Sequence, residues 1–69
     1  MTAARRHDDE GIVPRLKRQL RELEAQIDRQ RAIVAEERAA GEPSERATGL
    51  LRGMEALADH YQADLSRLS

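Results

Sequence analysis

Residues 13–34, VPRLKRQLRELEAQIDRQRAIV, set Val13, Leu16, Leu20, Leu23, Ile27 and Val34 at alternating steps of three and four. On a helix turning about 100° per residue, that seven-residue repeat gathers all six side chains into one strip. A long amphipathic helix of this kind needs something to cover its strip. The second half of the chain offers it: after a Gly and Pro break, Leu50, Met54, Leu57, Tyr61, Leu65 and Leu68 make a matching strip. The spacing predicts an all-α fold, an antiparallel two-helix hairpin of the helical coiled-coil type.

Outward from that stretch the boundaries are sharp. Residues 1–11, MTAARRHDDEG, carry no apolar period and read as a disordered tail, leaving 12–69 as a single helical hairpin. Helix 1 is expected over about 13–40, the turn over 41–44 and helix 2 over about 44–68. Pro14 suits a first turn, where its missing N–H would be unpaired in any case. Gly41 fits the left-handed residue that closes a helix, and either Ser44 caps the next helix or Pro43 already occupies its first position. So short a connection folds two long helices back antiparallel.

Charge supports that direction. Asp8, Asp9 and Glu10 precede helix 1 at the positive pole of its dipole, whereas Arg15, Lys17, Arg18 and Arg21 crowd the same end unfavourably. Antiparallel pairing is expected to set that basic cluster beside Asp59 and Asp64, and to mix Glu36, Glu37, Glu42 and Glu45 with Arg38, Arg46 and Arg52 near the turn. Each exposed pair is worth only about 0–1 kcal/mol. Within the strip of helix 1, Gln30 is a polar fault of the kind that fixes register at some cost in stability. Ile33 lies about a quarter turn off the strip, as an isolated surface residue or the shoulder of a second contact.

The chain has 69 residues, and below roughly 70–80 residues a single core seldom supplies more than about 3–5 kcal/mol, so further support is expected. Cysteine is absent and the two histidines are too few for a closed zinc site, which leaves self-association. A charged fraction of 36% against 1% aromatic residues favours long solvated helices over a thick core, and the strict apolar period argues against disorder. In helix 2 the apolar residues, Ala47, Leu51 and Ala58 included, span about 120°, more than one facing helix covers. Two hairpins pairing into a four-helix bundle would cover it, with a different protein as the competing occupant. The expected interface comprises Val13, Leu16, Leu20, Leu23, Ile27, Val34, Leu50, Leu51, Met54, Leu57, Tyr61, Leu65 and Leu68.

Other classes find less support. A net charge of −1 gives no overall pull toward nucleic acid or anionic membrane. A local basic patch of Lys17, Arg18 and Arg21 is the best case for nucleic acid, but acids adjoin it and no aromatic is there for stacking. No apolar run reaches the length of a membrane span, and none follows Arg5 and Arg6 to make a signal peptide, so a cytoplasmic protein is expected. His60 with Asp59 and Asp64 lacks the Glu-x-x-His pattern of carboxylate bundles, because Leu57 stands there, and reads as a solvated interface histidine. His7 beside Asp8 and Asp9 offers at most weak metal binding. Gly49 and Gly53 each cost a helix interior about 1 kcal/mol, which fits either a close helix crossing or a soft first turn. Nothing forms a catalytic grouping, so no enzyme and no cofactor is expected.

Ile27-Asp28-Arg29-Gln30-Arg31 through Val34, then Gly41, Ala47, Leu50-Leu51, Glu55, Leu57, His60, Asp64 and Leu68, resembles a group of small bacterial helical-hairpin proteins without an assigned function. The resemblance covers about the last two thirds of the chain and rests mostly on heptad apolar residues and Arg. It departs at Glu42, Pro43 and Ser44, where those proteins carry an Asp and Thr/Ser helix start. It implies the hairpin fold and no activity. The expected role is a non-catalytic protein–protein interaction or regulatory module, with a small nucleic-acid-binding protein as the alternative.

Overall fold

A computed structural model of the chain describes residues 11–68, and the expected tail lies, but for Gly11, outside them. Two helices fold back on each other as a hairpin: α1 spans Ile12–Ala39 and α2 spans Glu45–Leu68. At 1.5 Å per residue the 28 residues of α1 make a rod of about 42 Å, and the 24 of α2 about 36 Å. Among the described residues there is no strand, and neither helix is long and apolar enough to cross a membrane.

Each boundary has a local cause. The Gly11 carbonyl accepts from the Arg15 N–H at 3.1 Å, and Pro14 sits in the first turn that this bond closes. At the other end of α1, Gly41 adopts φ +77°, a conformation that costs a residue without Cβ nothing. Its N–H donates to the Arg38 carbonyl at 3.0 Å while the Glu42 N–H donates to Glu37 at 2.8 Å, the paired bonds that satisfy orphan carbonyls at a helix end. Ser44, rather than Pro43, begins the second helix: its Oγ accepts from the Ala47 N–H at 3.1 Å. Glu45 in the first turn of α2 and Arg67 in the last both complement the helix dipole.

The seam of α1 is the one its spacing predicts. Val13, Leu16, Leu20, Leu23, Ile27, Gln30, Val34 and Glu37 are all buried or half-buried. The seam of α2 is not. It runs through Ala47, Leu51, Met54, Ala58, Tyr61 and Leu65, whereas Leu50, Leu57 and Leu68 of the expected strip stay exposed. The reason is periodicity. The expected strip takes two consecutive steps of four between Leu57 and Leu65, which carries it off line, while the observed seam alternates four and three without a break. Ala58 then lets Leu23 and Ile27 close over it as the centre of the core, flanked by Leu20, Leu51, Met54 and Tyr61.

That core is thin. Leu23, Ile27, Val34 and Ala58 are its buried apolar residues, and no described side chain falls below 2% exposure. Complete burial of a Leu, Ile or Val contributes roughly 1.5–3 kcal/mol. Three such residues give a two-helix hairpin little to hold itself together.

Candidate functional site

The hairpin has two broad sides of different chemistry. On one, Glu24, Asp28 and Arg31 of α1 face Glu55, Asp59 and Gln62 of α2 across a shallow groove floored by Ile27 and Ala58. Arg31 crosses this groove to Glu55 at 3.1 Å and also stands 3.8 Å from Asp28. Among the described residues it is the ion pair that joins the two helices. All three partners are substantially exposed, so the contribution is small.

The opposite side carries fewer charges, with Glu22 on α1 and Asp64 on α2. Gln19, Glu22 and Gln26 line it beside Leu57 and Tyr61, above Leu23. Seven-residue spacing places Ile12 and Ile33 in the same column of α1 as these glutamines, and Leu50, Leu57 and Asp64 in one column of α2. Ile33 is 45% exposed, Leu50 53% and Leu57 43%; Ile12 and Leu68 continue the band toward the open end of the hairpin. Scattered surface apolar residues need no explanation, whereas these five share one side of the hairpin, which makes that side the candidate for association.

Of the residues expected at an interface, Val13, Leu16, Leu20, Leu23, Ile27, Val34, Leu51, Met54, Tyr61 and Leu65 pack within the hairpin seam. Leu50, Leu57 and Leu68 form the outer band, with Met54 and Tyr61 at its inner edge. Sequence reasoning placed Ile33 off the strip without assigning it. Its heptad relation to Gln26 and Gln19 was the signal that assigns it to this face.

Gln30 is 8% exposed and donates from Nε2 to the Ala47 carbonyl at 3.0 Å, tying α1 to the first turn of α2. Glu37, at the last seam position of α1, has a buried Oε1 without a hydrogen-bond partner. The charge pattern near the ends differs from expectation. Asp64 accepts from Arg67 and stands 3.5 Å from His60 Nε2, both on its own helix, and Asp59 faces the acidic groove. Among the described residues neither makes an ion pair with Arg15, Lys17, Arg18 or Arg21, because i+3 and i+4 neighbours on α2 reach Asp64 first. Glu36, Glu37, Glu42 and Glu45 likewise make no ion pair with Arg38, Arg46 or Arg52.

Lys17, Arg18 and Arg21 are exposed on α1, and Lys17 and Arg21 lie away from the apolar band. Added Cβ atoms at Gly49 and Gly53 would meet nothing within 4 Å, so neither glycine serves a close crossing inside the hairpin. Among the described residues no three His, Cys, Asp or Glu side chains gather as a metal site. His7 lies outside the described residues. No protein family, curated protein or solved structure matches the chain.

Proposed function

We propose that this chain is a non-catalytic protein–protein interaction or regulatory module that acts as a homodimer, two hairpins closing into a four-helix bundle. The observation that carries the reading is the apolar band of Ile33, Leu50 and Leu57 on one side of a hairpin whose own core is thin. Packing that band against another helical surface removes it from water and supplies the burial the single hairpin lacks. A second copy is the occupant the chain always has at hand, and a twofold axis would set the same face of each copy against the other.

Sedimentation equilibrium across a wide concentration range tests this. The chain is expected to fit a dimer, and the pair Leu50→Glu with Leu57→Glu to sediment as a helical monomer. A wild-type chain that stays monomeric and helical at every concentration would overturn the homodimer and leave the band to a different protein. Salt-sensitive binding of DNA or RNA, lost in Lys17→Glu with Arg21→Glu, would instead favour the nucleic-acid reading.

A further inference from the structure

Resting on the homodimer reading, we infer that Asp64 holds that association in check: it is a charge set into the face itself, brought there with its own cations, and it limits how tightly two copies pair. Two columns of side chains make up the face. Ile12, Gln19, Gln26 and Ile33 follow one another at seven-residue spacing on α1, and Leu50, Leu57 and Asp64 do so on α2. Asp64 alone among them is charged. Glu22, the other acid on this side, stands one column further out, toward the rim.

Its place along the hairpin makes the charge matter. Leu23 and Ile27 close over Ala58, so the two antiparallel helices can be matched by counting outward from that contact at about 1.5 Å per residue. Ile33 and Leu50 stand toward the turn, Leu57 near Gln26, and Asp64 near Gln19, about 10 Å beyond Leu57. Ile12 and Leu68 then lie at the open end. Asp64 with Gln19 is thus a polar step between two apolar stretches of one face. A leucine in place of Asp64 would make the α2 column apolar throughout.

Asp64 is not bare there. Its carboxylate accepts from the Arg67 guanidinium, three residues on, and stands 3.5 Å from His60 Nε2, four residues back. The Asp64 side chain is 23% exposed, whereas those of Arg67 and His60 are 74% and 67% exposed, so the acid is the inner member of the group and the cations lie outside it. Taking an ionised carboxylate out of water is costly, and an ion pair recovers that cost only in part. An aspartate that enters with Arg67 already bound is therefore tolerated at the face, but it adds nothing to the apolar burial that drives pairing. The formal net charge of −1 keeps overall repulsion between copies small, which leaves local charges such as this one to decide the strength.

Sedimentation equilibrium of full-length variants tests the assignment, with circular dichroism confirming that each is folded. Asp64→Leu is expected to tighten dimerisation at least about tenfold, and Asp64→Asn, which removes the charge and keeps the shape, about threefold. Arg67→Ala, which leaves the carboxylate without its bound cation, is expected to weaken it about threefold. Asp59→Leu is the matched control: Asp59 is an exposed aspartate of the same helix on the opposite side, and its replacement is expected to leave the dimer unchanged. A wild-type dimer that a folded Asp64 variant fails to tighten overturns the inference while the homodimer stands. So does a gain from Asp59→Leu equal to that from Asp64→Leu, which would mark the general stickiness of an added leucine, and so does an Arg67→Ala dimer as tight as the wild type. A wild-type chain that stays monomeric while Asp64→Leu dimerises supports the check and overturns the homodimer reading for the chain as it stands. Monomers in both cases overturn both.

Discussion

Gln30 shows how one side chain sets the geometry of the hairpin. A leucine at that seam position would bury more apolar surface but would specify nothing about height along α2. The amide, 3.0 Å from the Ala47 carbonyl, does specify it, since a slip by one turn leaves a buried amide unpaired. Gln30→Ala is expected to destabilise the chain by about 1–2 kcal/mol, through a lost hydrogen bond and a small void, as measured by urea unfolding. Glu37 is the opposite case. Its buried Oε1 lacks a donor, and the residue stands where the repeat calls for an apolar side chain. Glu37→Leu is expected to stabilise by about 1–2 kcal/mol in the same assay, by removing an unpaired acceptor and extending the seam by one turn.

At the level of the helices, α1 was legible from its sequence because its large apolar residues keep the three-four alternation from Val13 to Ile27 and, past Gln30, resume it at Val34. In α2 the leucines and the seam do not coincide. The seam uses Ala47 and Ala58, small residues that a reading weighted toward large side chains passes over, and Leu50 and Leu57 drew the strip to one side. The apolar arc of α2 is wider than its seam. Ala47, Leu51, Met54, Ala58, Tyr61 and Leu65 are the seam, and Leu50, Leu57 and Leu68 are the band left outside. Ion pairs were the least legible feature, since long exposed side chains choose among several partners at little cost, and Asp64 found Arg67 and His60 on its own helix. The turn was almost fully readable, for Gly41 and Ser44 each carry a specific backbone task. Gly49 carries none within the hairpin, so Gly49→Ala is expected to raise helix stability by about 0.5–1 kcal/mol, seen as a higher urea midpoint.

For the whole molecule, the balance lies between what one hairpin hides and what it leaves wet. Its seam buries Leu23, Ile27, Val34 and Ala58, while Ile33, Leu50 and Leu57 remain in water on the less charged side. If a second copy covers that face, folding is coupled to association, and the midpoint of unfolding is expected to rise with chain concentration. The opposite side, with Arg31 and Glu55 among acidic neighbours, is charged and exposed, and in the proposed bundle it would form the exterior. The central claim is that the less charged side is covered by a second copy. Sedimentation equilibrium of the wild-type chain beside Leu50→Glu with Leu57→Glu tests it most directly: a concentration-dependent dimer that the double substitution reduces to a helical monomer is the predicted result, and a wild-type chain that remains a helical monomer throughout would contradict it.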